Sequence, residues 1–163
     1  MTIPSPPSRL AGRCLLGLCA LLPMSVHAAD RGAPTRNATV VRAVFDEWQA
    51  GRGSVFDLLA EDVVWTVAGS STVSATYLSR AEFMQRAVQP ISARLATPIV
   101  PALRHLVAQE DAVVVVWDGH ATALDGTPYR NSYAWWMQLH EGRVVRAIAF
   151  LDTWALQSLL QPQ

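Results

Sequence analysis

The chain has 163 residues, 13 Lys plus Arg against 13 Asp plus Glu, and 51% hydrophobic residues. That length suits one domain. A formal net charge of zero without a single lysine excludes the basic footprint of a nucleic-acid binder, a Schiff-base nucleophile and a Walker-type phosphate site.

The first elements belong to a targeting pattern. "MTIPSPPSRLAGR" carries Arg9 and Arg13 and no acid, "CLLGLCALLPM" is apolar, and "SVHAAD" supplies small residues. This order predicts a secretory signal peptide over residues 1–28, cleaved near Ala28, and a single domain over 29–163 exported to the periplasm or beyond. The apolar run is too short to span a bilayer comfortably, so no membrane association is expected after cleavage. A lipoprotein reading of "LGLC" fails on Leu18, which is large where a small residue is needed, and Pro4, Pro6 and Pro7 disfavour a folded N-terminal helix. Both cysteines, Cys14 and Cys19, leave with the signal, which excludes disulfides, thiolate chemistry and Cys-based metal sites in the mature chain. Removing Arg9 and Arg13 leaves 11 Arg against 13 acids, a net charge of −2.

"DRGAPTRN" reads as a short tail before the first helix, "ATVVRAVFDEWQAGRG". Val40, Val41, Val44, Phe45 and Trp48 recur there at helical spacing. Ser54 caps a short second helix, "VFDLLA". "DVVWTVAG" is a strand and "SATYL" a brief one. "SRAEFMQRAVQ" begins on Ser79 with Glu82 three places on, a capping-box pattern, and Pro90 is expected to limit it. Four long strands follow: "PIVPALRHLVAQ", "AVVVVWDGHATAL", "YRNSYAWWMQL" and "VVRAIAFLD", joined at "QED", "DGTP" and "HEGR". A last helix, "TWALQSLL", closes the chain. Consecutive strands with tight turns pair antiparallel, and the early helices must share one face of the sheet. The expected fold is α+β, a curved antiparallel sheet wrapped around the N-terminal helices.

Such a sheet encloses a pocket if its inward side chains do not fill it. Period-two alternation groups Tyr129, Asn131, Tyr133, Trp135 and Met137 on one face, and Arg146, Ile148, Phe150 and Asp152 on one face, without saying which face is inward. The first set is an aromatic wall holding an amide, a composition shared by ligand pockets, plain cores and dimer faces. Trp65 and Tyr77 are aromatics for the same pocket or the core. Asp152 has two readings. In an apolar pocket, desolvation would raise its pKa and fit it for acid/base work. Standing directly before "TWALQSLL", it also suits a helix cap. His105 and His120 are the other titratable candidates, with surface or structural roles as the alternative, whereas His140 sits in a turn. No histidine pair has metal-ligand spacing, so neither a metal nor a cofactor is called for. Ser70 and Ser71 in "AGSST" lack the flanking pattern of a nucleophile elbow.

"VVRAVFDEWQAGRGSVFDLLAEDVVWTVAGSS", "DGTPYRNSYAWWMQLHEGRVV" and "AFLDT" together resemble the SnoaL-like and ketosteroid isomerase-like branch of the nuclear transport factor 2-like superfamily, over about Ala38 to Leu160. The resemblance implies a cystatin-like, cone-shaped barrel with an internal pocket and a homodimer formed through the sheet's outer face. It covers isomerases, polyketide cyclases, epoxide hydrolases and members of no known activity. The isomerase base, tyrosine and second acid fall at Val67, Val44 and Ala134 or Trp135, all apolar, which argues against that mechanism. The cyclase carboxylate of the last strand falls at Asp152. The hydrolase pattern, an Arg between two Asp, lacks its second acid. Two functions follow as expectations. One is an exported acid/base enzyme acting through Asp152 on a hydrophobic molecule oriented by Trp65, Tyr77, His105, His120, Asn131, Tyr133, Trp135 and Phe150. The other is a non-catalytic ligand-binding or dimeric accessory protein with the same pocket.

Overall fold

The computed structural model describes residues 32–161 and the isolated Thr2. The expected signal peptide, Thr2 apart, lies outside the described residues. Helix α1 spans Gly32–Gln49 and buries Val41 and Phe45 completely. It starts at Gly32 rather than Ala38. Pro34 is tolerated because the first turn of a helix leaves its N–H groups without intrahelical partners anyway. A 3₁₀ turn, Val55–Leu58, follows. Ser54 caps it by accepting from the Phe56 N–H at 3.0 Å, while Asp57 accepts from the Ser54 N–H at 2.9 Å.

Strands β1 (Leu59–Val67) and β2 (Ala75–Tyr77) lead to a helical segment with three registers: α2 (Arg80–Phe83), a π turn (Met84–Val88) and α3 (Gln89–Ser92). The Ser79 hydroxyl accepts from the Glu82 N–H at 3.1 Å, whereas the Glu82 carboxylate reaches the Leu78 N–H at 2.9 Å, one residue before the cap. Pro90 does not stop this segment as expected. The π turn sets the Gln89 N–H against the Met84 carbonyl, five residues back. The widened turn accommodates the missing N–H and ring of Pro90, which an α register would reject.

The remaining elements are β3 (Val100–Gln109), β4 (Ala112–Thr122), β5 (Pro128–His140), β6 (Arg143–Leu151) and α4 (Thr153–Leu160). The sheet order is β2-β1-β6-β5-β4-β3. The α+β class and the helix-covered curved sheet agree with expectation. The sheet is mixed, because β1 runs parallel to β6, with Trp65 opposite Ala147 and Val67 opposite Ala149. It also stays open, ending at β2 and β3. The β5–β6 turn has Glu141 at φ 49° and Gly142 at φ 77°, two consecutive left-handed residues that match the twist of a tight hairpin. The glycine takes the second position without steric cost.

Register shifts between Leu59 and Val64, Leu103 and His105, and Gln138 and Leu139 bend the sheet. Its inner face carries Val113, Val115 and Trp117 from β4, Tyr133, Trp135 and Met137 from β5, and Ala147 and Ala149 from β6, all buried. Helix α1 packs over β3 and β4, α2 over β1, and α4 over β5. Gly119 of β4 lets this interior close up. A Cβ there would stand 3.0 Å from Tyr133 Cε2 and 3.1 Å from both the Trp117 ring and Ile99.

Candidate functional site

Between the inner face and the helices lies a cavity of about 680 Å³, within the range of small-molecule sites. Its walls come from nearly every layer. Trp48 enters from the end of α1, Trp65 from β1, Phe83 from α2, Trp117 from β4, and Tyr133 and Trp135 from β5. Leu156 and Leu160 of α4 contribute at another side. The rings hold one another in place. Trp117 stacks on Tyr133 at 3.9 Å with planes 8° apart, and Trp65 stacks on Phe83 at 4.5 Å. Trp135 meets Trp65 and Trp117 edge-on at 5.1 and 4.8 Å. Tilted and edge-on contacts of this kind suit the ring quadrupoles and leave a rigid aromatic wall.

The polar content is sparse. Among the described residues lining the cavity there is no Asp, Glu, His or Cys, and Arg86 is the one charged side chain. Arg86 lies 5.9 Å from the centroid of the Tyr77 ring and forms an ion pair with Glu82. Burial pushes the Tyr77 phenol above its ordinary pKa, with Arg86 opposing and Glu82 adding to the rise. Burial pushes Tyr133 up much further, and the adjacent Tyr129 adds to it. Both phenols therefore remain protonated donors at any ordinary pH. The indole Nε1 atoms of Trp117 and Trp135 are buried without a hydrogen-bond partner among the described residues.

The candidates from the sequence divide into three groups. Trp65, Tyr77, Tyr133 and Trp135 line the cavity together. Asn131 is buried on the same face of β5, but its amide is engaged in protein contacts. Its Oδ1 accepts from the Asp152 N–H at 3.0 Å, and its Nδ2 donates to the Asp152 carbonyl at 2.9 Å and to the Tyr129 hydroxyl at 3.1 Å. It ties the middle of the sheet to the β6–α4 corner rather than facing a ligand.

His105, His120, Phe150 and Asp152 stand on the outside, contrary to the pocket reading. His105 is exposed because the register shift after Leu103 changes the alternation of β3, so that Leu106 and Ala108 turn inward instead of His105 and Val107. His120 shares the outward parity of Val114. In β6 the inward set is Ala147, Ala149 and Leu151, so Phe150 is 54% exposed. Asp152 is exposed and does not line the cavity. It is the N-cap of α4, its Oδ1 accepting from the Trp154 and Ala155 N–H groups at 3.0 and 3.1 Å. The cap uses the carboxylate on the orphan donors of the first helical turn.

Sequence reasoning left out Trp48, Phe56, Phe83, Trp117 and Arg86, all of which line the cavity. The parity of Trp117 with Val113 and Val115 was a usable signal. Trp48 and Phe83 looked like ordinary buried positions on amphipathic helices. Nothing local distinguishes a side chain that fills a core from one that borders a hollow.

The chain matches the SnoaL-like domain over residues 41–147, more than half of its length. No curated protein matches it. Among solved structures it is similar to Bal32a from a soil-derived mobile gene cassette, at 17% identity and a TM-score of 0.65, over 79% of this chain and 99% of that one. It is similar to an NTF2-like protein of Burkholderia thailandensis at 18% identity and a TM-score of 0.62, over 77% of this chain and 98% of that one. An LEH-like epoxide hydrolase of M. tuberculosis shares 14% identity and a TM-score of 0.56, over 78% of this chain and 90% of that one. At these identities the likeness is one of fold.

Proposed function

The chain belongs to the SnoaL-like family, and from that premise we propose that it binds a small hydrophobic molecule in the cavity, without acid/base chemistry at Asp152. The observation that carries this reading is the cavity's composition: about 680 Å³ walled chiefly by aromatic and aliphatic side chains, with Arg86 and a few neutral polar residues but no carboxylate or imidazole among the described lining residues. Val67, where the family resemblance would put an isomerase's base, borders the cavity as plain hydrocarbon. An apolar hollow of this size lacks the contacts that close packing supplies, and an apolar ligand restores them.

Four lining tryptophans, Trp48, Trp65, Trp117 and Trp135, make intrinsic fluorescence a reporter of occupancy. Titration with 1-anilinonaphthalene-8-sulfonate is expected to quench them saturably. The affinity is expected to stay flat from about pH 5 to 9, since the lining phenols titrate above about 10. Asp152→Asn keeps a good cap and is expected to bind within about twofold of the parent. A carboxylate-like midpoint near pH 4–6, or a turnover abolished by Asp152→Asn, would overturn this reading in favour of the acid/base enzyme.

Two further parts of the proposal concern the protein's setting. Export is supported by the basic, apolar and small-residue order of residues 1–28. A homodimer through the outer sheet face is supported by the adjacent apolar row Val107, Val114, Trp136 and Ile148, flanked by Phe150. A contiguous apolar sheet face of this kind commonly marks an interface, and a two-fold pairing would cover it on both copies. In light scattering the purified protein is expected at twice its chain mass, and Phe150→Asp is expected to convert it to monomer. A parent chain that is already monomeric rejects the dimer.

A further inference from the structure

Resting on the ligand-binding reading, we infer that the Tyr133 hydroxyl is the polar anchor of the cavity, a donor aimed by a one-way hydrogen-bond chain and matched to a ligand that presents a carbonyl or phenolate oxygen.

The direction of the chain follows from the backbone of Asp152. Its N–H must be met by the oxygen of the Asn131 amide, and its carbonyl by the nitrogen, which settles how that amide is oriented. The second hydrogen on Asn131 Nδ2 then goes to the Tyr129 oxygen at 3.1 Å. Tyr129 is 5% exposed. Having accepted there, it still carries one hydrogen, and the Tyr133 oxygen, 3.1 Å away, is its one acceptor among the described residues. One phenol hydrogen is left over in either direction: on Tyr129, which does not line the cavity, it would be stranded inside the protein, whereas on Tyr133 it can be met from the cavity. Tyr133 therefore accepts from Tyr129, and its own hydrogen has no acceptor among the described residues. Tyr133 borders the cavity. Its ring cannot turn away freely, because Trp117 stacks on one side and Gly119 lies under Cε2.

Polarity accumulates along such a chain, each donor strengthening the next. The Tyr133 hydrogen left over beside the cavity thus calls for an acceptor. An oxygen acceptor on a flat apolar frame complements it. An ammonium or other cation finds no lining carboxylate among the described residues. Asn131 and Tyr129 are positioning residues that act through Tyr133.

A matched pair of probes, fluorene and 9-fluorenone, shares one ring frame and differs by a carbonyl oxygen. Calorimetric titration is expected to show about a tenfold preference for 9-fluorenone, the worth of one well-made buried hydrogen bond. The preference is expected to collapse to about one in Tyr133→Phe, and to fall about threefold in Tyr129→Phe, where the hydroxyl loses its orientation but not its hydrogen. Thermal melting of each variant shows that it is folded, and the ratio of two affinities in the same protein is insensitive to small losses of stability. If 1-anilinonaphthalene-8-sulfonate binds but the two frames bind equally, or do not bind, the inference falls and the cavity reading survives. The inference also falls if Tyr133→Phe keeps the full preference. If none of the three probes binds, both are overturned.

Discussion

Trp117→Ala is expected to lower the stability of the fold by about 3 kcal/mol, the lower end of the range for deleting a buried aromatic ring. Trp117 is 1% exposed at the centre of β4. Its indole touches four other rings: Phe45 at 5.8 Å, Trp48 at 5.1 Å, Tyr133 at 3.9 Å and Trp135 at 4.8 Å. Two opposing effects set the magnitude. The interior already contains a hollow, so the void left by the ring merges with it and the rings around it lose their support together. Against this, the unpartnered Trp117 Nε1–H disappears with the side chain, which recovers part of the cost of a buried unsatisfied donor. For a domain of this size about 3 kcal/mol corresponds to a melting temperature lower by about 10 °C. Trp154→Ala is the control: that ring is 75% exposed, and its loss is expected to change stability by less than about 0.5 kcal/mol. Calorimetric melting that finds the two variants alike would mean that the aromatic wall does not carry the fold.

Asn131→Ala is expected to cost about 2–4 kcal/mol, more than an average polar-to-alanine change, because three hydrogen bonds end on one buried amide. The bonds differ in what replaces them. The Asp152 N–H and carbonyl lie at an exposed corner, where water can take over. The Tyr129 hydroxyl is buried and cannot be rescued in that way. Asn131→Asp separates shape from donor count. It keeps an oxygen toward the Asp152 N–H but sets acceptors against the Asp152 carbonyl and the Tyr129 oxygen. In the fold this new carboxyl is held protonated, so its pKa rises above the unfolded value. Its stabilising protonated form is present at low pH, and stability is lost as pH rises through the folded pKa. Chemical denaturation of Asn131→Asp at about pH 4 and pH 8 is therefore expected to show the lower stability at pH 8. A pH-independent loss would mean that the amide acts through shape alone.

Both expectations concern residues of one parity in β4 and β5, and the reading of that parity separates what was legible from what was not. All six strands and the flanking helices stand close to where alternation, helical spacing, Ser54 and Ser79 put them, because those signals are local. A turn at Asp125–Gly126 or Glu141–Gly142 needs particular backbone angles and shows itself within four residues. Tyr129, Asn131, Tyr133 and Trp135 were correctly grouped for the same reason, since period two is a property of the strand itself.

The sequence by itself determined the elements, their order, the α+β class and part of the aromatic wall, Trp65, Tyr77, Tyr133 and Trp135. The tertiary structure alone decided which face is inward, the parallel pairing of β1 with β6, the open edges of the sheet, and the place of Asp152 as a cap outside the cavity. The physical reason is a near symmetry in the strands. β4 offers Val113, Val115 and Trp117 on one face and Val114 and Val116 on the other, so over most of the strand hydrophobicity differs little between the faces, and only Asp118 and His120 at its far end mark the second as outward. The shift after Leu103 then moves His105 from one face to the other without a glycine or proline to announce it. Which apolar face is covered by helices depends on contacts between residues far apart in the chain, and those exist only once the sheet has closed over α1.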